Sequence, residues 1–276
     1  MLGKLLKHEF RATGRIMLPL MGALLALALM ANLSIRGLTG NLADVPALKI
    51  LFILILVFFG MGIVAIAVMA LVVMISRFFR NLLKSEGYLM FTLPVSVHEL
   101  IWSKLIVSLV WFFATALFVF IIMSLTALNL SGTNLEMIFV NFPSWSEILQ
   151  KLEELGIRSA LSKLMFWVVI AMILGAIVSC LHFYGAMALG HMFSKSKVLL
   201  SVVFFILISF AFNIMEMSIG LSGIEMEANS FDMHTAGEGI RFASHIFMQA
   251  SMMEVVQAAV LYLATALGLK RGLNLE

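Results

Sequence analysis

Five side chains stand out because their surroundings make them expensive. Ser209, Asn213 and Glu216 lie in one apolar run, and Glu254 and Gln257 lie in another. Ser209, Asn213, Glu216 and Gly220 recur at helical spacing and share a face, while Glu254 and Gln257 share a face with Ala258 and Leu261. A carboxylate inside lipid is costly, so one retained there faces a partner, a cavity or a pathway. At 1.5 Å per residue, Glu216 lies roughly 27 Å from Val198 and Glu254 roughly 22 Å from Leu269, both in the outer half of their runs. Two readings stand at this point. Both acids can sit in interfacial water, or both can line a polar, outward-facing pathway. In an ion-coupled carrier the same acids would be the coupling groups.

Other chemistry finds little support. The chain has no Gly-x-x-x-x-Gly-Lys-Ser/Thr phosphate loop, no His-Glu-x-x-His and no Gly-x-Ser-x-Gly. Ser179, Cys180 and His182 cluster in one run, but no acid lies near them on that helix to complete a triad. They read as small packing residues plus one polar side chain near the cytoplasmic end. Ala171, Gly175 and Ser179, then Ala186 and Gly190, repeat at four-residue spacing and predict close helix packing. Cys180 is the only cysteine, so a disulfide framework or a cysteine-rich zinc site is ruled out within this chain.

The elements that must carry these residues follow from composition. At 62 % hydrophobic, 12 % charged and mean hydropathy +1.09, the chain is not an ordinary soluble domain. Six runs approach or exceed the roughly 20 residues needed to cross the hydrocarbon core. They extend over Ile16–Ile35, Ile50–Ile75, Leu105–Leu130, Leu164–Leu189, Val198–Met215 and Ile246–Leu269. Runs of this length without alternation are helices, not barrel strands. The expected fold is therefore all-α and integral to the membrane, with six transmembrane helices in a single domain over residues 1–276. The first run is longer than a signal-peptide core and reads as a retained span.

Lysine and arginine placement predicts orientation. With six spans, twelve bases fall on the side of the termini and six on the other, which places both termini in the cytoplasm. The pI of about 9.1 then reflects this inner belt and not nucleic-acid binding. Ahead of the first span, Leu2, Leu5, Leu6 and Phe10 follow helical spacing, while Lys4, Lys7, His8 and Arg11 occupy the other face. Residues 1–15 are expected as an interfacial helix, after which the chain turns into the membrane. Glu9 breaks that pattern, since it falls on the apolar stripe.

Among the outer connections, 36–49 is short. The loop 131–163 is longer, with a helix expected from Ser146 to Leu155 capped by Ser144 or Ser146. Residues 217–245 are expected as an outer loop that re-enters the membrane or lies on it. Trp145 and Trp167 suit an interfacial aromatic belt.

The cytoplasmic loop at 76–104 is not written as a plain connector. Arg77, Arg80 and Lys84 anchor its start, and its second half mixes apolar and polar residues around Gly87 before stopping at Pro94. The stretch Ser85-Glu86-Gly87-Tyr88-Leu89-Met90-Phe91-Thr92-Leu93-Pro94-Val95-Ser96, followed by Leu100 and Ser103-Lys104-Leu105, resembles the first cytoplasmic loop of ATP-binding-cassette permeases of the type-2 exporter superfamily. Residues 188–197 and 270–276 also resemble bacterial members of that group. The resemblance implies an N-terminal elbow helix and a cytoplasmic coupling helix between spans 2 and 3. It implies that Glu86, Gly87, Tyr88, Leu89, Phe91, Leu93 and Pro94 dock on a separate ATPase subunit, which would hold the ATP and magnesium that this chain lacks. A second permease subunit, identical or different, would complete the pathway in a bacterial cytoplasmic membrane. The chain itself would not be an enzyme. The substrate implied is an amphiphile: a peptide antibiotic, a drug or a lipid-like molecule.

Overall fold

A computed structural model describes residues 2–40, 45–83, 95–130, 143–193, 196–228 and 236–271. Seven α-helices are present among them: α1 (Leu2–Thr39), α2 (Pro46–Phe78), α3 (Val97–Leu130), α4 (Trp145–Glu154), α5 (Arg158–Gly190), α6 (Lys197–Ala228) and α7 (Ala236–Arg271). A π-helical turn, Phe79–Leu83, continues α2. Six of the seven are long and apolar enough to cross a membrane, and α4 is the exception. The protein is an all-α, multi-pass membrane protein.

Every apolar run in the sequence lies inside a longer helix, because helical hydrogen bonding continues past the point where the side chains become polar. The amphipathic N-terminal segment and the first span form one helix, α1, with Pro19 in its interior and no break at residue 15. Proline removes one backbone hydrogen bond, a loss that membrane helices tolerate. Likewise, much of 217–245 is helix, since α6 runs to Ala228 and α7 starts at Ala236. Its Met, Ile, Leu and Glu residues are adequate helix formers, and continuing the helix satisfies backbone groups that a re-entrant loop would leave open.

The helices form two compact units. The first comprises residues 1–77 and 106–142, and the second comprises 78–105 and 143–276. In the first unit, Leu24, Ala28 and Ala31 of α1 pack with Phe59 and Ile66 of α2 and Ile122 of α3. Small residues set the closest approach: a Cβ at Gly37 would stand 2.5 Å from the Phe52 ring. Polar pairs add to it. Asn32 donates to the Thr126 hydroxyl at 3.3 Å, Asn129 donates to the Asn32 side chain, and Trp111 Nε1 donates to Thr13 Oγ1 at 2.7 Å. Glu9 lies on the same side of α1 as Thr13 and Met17 and is 6 % exposed. The acid that breaks the apolar stripe therefore faces protein, not lipid.

In the second unit α5 packs most extensively against α7. Gly185 faces Leu261 and Thr265 of α7, and Gly268 of α7 faces Ala188. The four-residue stripe of small residues on α5 is only partly a packing surface: Gly175 faces Glu254 of α7 and Ala186 is buried, but Ser179 is exposed, and the contacts of Gly185 and Ala188 with α7 lie off that spacing. Gly190 serves the tight link to α6, where an added Cβ would fall 2.2 Å from Ser201 Oγ and 2.5 Å from the Ser201 backbone nitrogen. Outside the spans, α4 is capped by Ser144, whose hydroxyl accepts from the Glu147 backbone N–H at 3.4 Å. Trp145, at its first turn, is 73 % exposed.

Candidate functional site

The second unit brings the polar residues of three spans together. Gln257 on α7 is 3 % exposed, and its Nε2 donates to Glu216 Oε1 on α6 at 2.7 Å. Each group answers the other's need, since a buried amide and an intramembrane carboxylate are both costly without a partner. Glu254 lies one turn earlier on α7. Its Oε1 stands 3.0 Å from where a Gly175 Cβ would sit, so the absent side chain on α5 makes room for the carboxylate. The other oxygen, Oε2, is buried and has no hydrogen-bond partner.

About two turns before Glu216 on α6, Ser209 meets His182 of α5, a residue whose apolar surroundings alone do not mark it as part of this cluster. The Ser209 hydroxyl donates to the Phe205 carbonyl at 2.8 Å, so it accepts from His182 Nε2–H on α5 at 3.0 Å. That assignment leaves Nδ1 of a neutral imidazole as an open acceptor. Phe205 lies 4.7 Å from the His182 ring centroid, with Phe212 edge-on at 6.2 Å. His182 is about 12 Å along α5 from Gly190, which puts it well inside the span and not at its end. The signal for it was present in the sequence: Gly175, Ser179 and His182 fall on one helical face. Ser179 itself donates to the Gly175 carbonyl at 2.7 Å and the His182 Nε2 pairs with Ser209, so the two do not form a nucleophile–base pair through that nitrogen.

Asn213 is not drawn into the cluster. Its Nδ2 donates to the Ser209 backbone carbonyl at 2.7 Å, within its own helix. The result is a polar ladder of roughly 10 Å along α6 from Ser209 to Glu216. It carries an imidazole acceptor and aromatic faces at one end, and two carboxyl groups with an amide at the other. Such a ladder can hold the polar or cationic part of an amphiphile, or a proton. Among the described residues, no three His, Cys, Asp or Glu side chains converge as a metal site would require.

The expected docking residues, Glu86, Gly87, Tyr88, Leu89, Phe91, Leu93 and Pro94, lie outside the described residues, but both flanks of their loop are described. On the entering side, Phe78 stacks on Tyr184 of α5 with centroids 4.1 Å apart, and Phe79 meets the His191 ring edge-on at 5.3 Å. Leu82 and Leu83 of the π-helical turn are buried. His191, 4 % exposed, donates from Nδ1 to the Met187 carbonyl at 2.8 Å. Burial holds its pKa below the usual imidazole value, the bond to Met187 opposes this, and the Lys197 charge lowers it further.

On the leaving side, Ser96 and Glu99 form a capping box at the start of α3. The Ser96 N–H donates to Glu99 Oε2 at 3.1 Å, and the Glu99 N–H donates to Ser96 Oγ at 3.2 Å. The Ser-x-x-Glu spacing is itself the sequence signal for this cap. Next to it Lys270 Nζ donates to His98 Nε2 at 3.4 Å, and His98 Nδ1 therefore donates to Tyr262 Oη at 2.6 Å. The described residues on either side of 84–94 thus lie beside the end of α5 at Phe78 and Phe79 and beside the end of α7 at His98.

Compared with known proteins, the chain matches no family model, no curated protein and no solved structure.

Proposed function

We propose that this chain is the permease subunit of an ATP-driven exporter that moves an amphiphilic substrate out of a bacterial cell. A separate ATPase subunit docks on the loop around residues 85–96, both termini are cytoplasmic, and a second permease subunit completes the pathway. One observation carries the reading. The helix end that leads into the loop is tied to α5, through Phe78–Tyr184 and Phe79–His191, and the helix start that leaves it is tied to α7, through His98–Tyr262 and His98–Lys270. The same two helices carry His182, Glu254 and Gln257. A push on the loop is therefore delivered to the helices that line the polar ladder, as a pump whose motor is a separate subunit requires. The loop sequence, which resembles that of type-2 exporter permeases, supports the same conclusion.

A second reading has its own support. Glu254 Oε2, buried and unpartnered inside a span, is the arrangement a proton-coupled carrier would use.

Two measurements separate them. Affinity purification of the tagged chain from its own membranes should bring down an ATPase subunit, and Phe91→Asp should remove it while leaving the permease inserted. In vesicles holding the chain alone, an imposed proton gradient should drive no accumulation of a fluorescent amphiphilic cation. Accumulation under that gradient, abolished by Glu216→Gln or Glu254→Gln, overturns the exporter in favour of the carrier.

A further inference from the structure

The polar ladder is not the chain's only candidate site. On α1, in the first unit, His8, Arg11, Ala12 and Arg15 line an open groove of about 350 Å³. Their spacing is i, i+3, i+4 and i+7, so all four lie on one side of the helix over about two turns. Ala12 supplies the floor because its side chain ends at Cβ, and three nitrogen-bearing side chains rise around it. His8, Arg11 and Arg15 are all exposed.

The groove's level along the helix identifies what it meets. Directly after Arg15 the helix exposes large apolar side chains: Ile16 is 42 % exposed and Leu18 63 %. Hydrocarbon therefore begins within a turn of Arg15, and the groove lies at headgroup depth. The opposite side of the same segment is held in protein by Glu9, Thr13 and Met17, with Thr13 accepting from Trp111. This fixes the rotation of the helix and directs the groove away from its own packing partners. Two arginines one turn apart at this level present guanidinium donors suited to bidentate phosphate contact.

We propose that this groove is a binding site for the phosphate headgroup of an anionic glycerophospholipid. Arg11 and Arg15 hold the phosphate, His8 contributes a further ring nitrogen, and the space over Ala12 receives the glycerol end of the headgroup. The site is independent of what the protein transports.

The test is native mass spectrometry of the full chain in mixed micelles holding phosphatidylglycerol and phosphatidylcholine in equal amounts. The wild-type chain should retain phosphatidylglycerol preferentially. Arg11→Gln and Arg15→Gln should each weaken that retention about fivefold. Ala12→Leu, which keeps every charge and favours helix but fills the floor, should weaken it to a similar extent. Lys4→Gln and Lys7→Gln remove the same charge outside the groove and should have little effect. Equal losses from the lysine and arginine variants, with none from Ala12→Leu, would show diffuse charge attraction and overturn the site. So would binding of inorganic phosphate alone with no preference between the two lipids, which would reassign the groove to a soluble anion.

Discussion

Replacing Gln257 with leucine tests whether the contact between α6 and α7 is a working site or structural glue. The two side chains are similar in volume, so no cavity opens at a position only 3 % exposed. What disappears is one hydrogen bond, from Nε2 to Glu216 Oε1 at 2.7 Å. Hydrogen bonds between membrane helices contribute about 0.6 kcal/mol on average and about 1.7 at most. The ionisable acceptor and short distance place this one in the upper part of that range, about 1–1.7 kcal/mol. The better-packed leucine offsets part of the loss, so Gln257→Leu alone should cost no more than about 1.5 kcal/mol. Glu216→Leu removes a carboxylate from the span but leaves a buried amide unpaired, two effects of opposite sign and comparable size. The informative quantity is the coupling in a cycle of wild type, both single variants and the double variant. Unfolding in mixed micelles with increasing SDS, followed by circular dichroism, should return about 1–1.7 kcal/mol. Coupling indistinguishable from zero would refute the contact. A loss above about 3 kcal/mol from Gln257→Leu alone would make Gln257 a determinant of the fold and remove it from the candidate site.

Two further outcomes follow from the same reasoning. Thr13→Val keeps shape but leaves Trp111 Nε1–H without its acceptor, which should cost about 1–2 kcal/mol and shift Trp111 fluorescence; an unchanged spectrum and stability would count against the bond. His191 resists protonation when folded, so the unfolded chain binds its proton more readily and stability falls with decreasing pH. Its contribution should be complete above the unfolded value of about 6.5 and decline below it, which thermal unfolding between about pH 8 and 5 will measure; His191→Gln should flatten that part of the curve.

Composition and run length were enough to determine the class of fold, because lipid leaves the backbone no alternative to helix over twenty apolar residues. The six spans, the Ser144 cap on α4 and the close packing at Gly175 and Gly190 were legible in residues a few positions apart, whereas Gly185 lies off the four-residue spacing and was not. Local sequence also placed Ser209 and Glu216 on one face of α6, and Glu254 and Gln257 on one face of α7. It did not reveal that Gln257 donates to Glu216, that His182 donates to Ser209, or that Gly175 makes room for Glu254. Those pairings join residues 27 to 79 positions apart in the chain, and they depend on how far each helix rotates about its axis and slides past its neighbour. Rotation and slide are set by the fit of small residues against large ones over whole helix faces, such as Gly185 against Leu261 and Gly268 against Ala188. Glu9 shows the same division. Its position on an apolar stripe looked like an error in the pattern until the packing of α1 against Trp111 turned that stripe towards protein. Periodicity reports which side chains share a face, and only tertiary packing decides what that face meets.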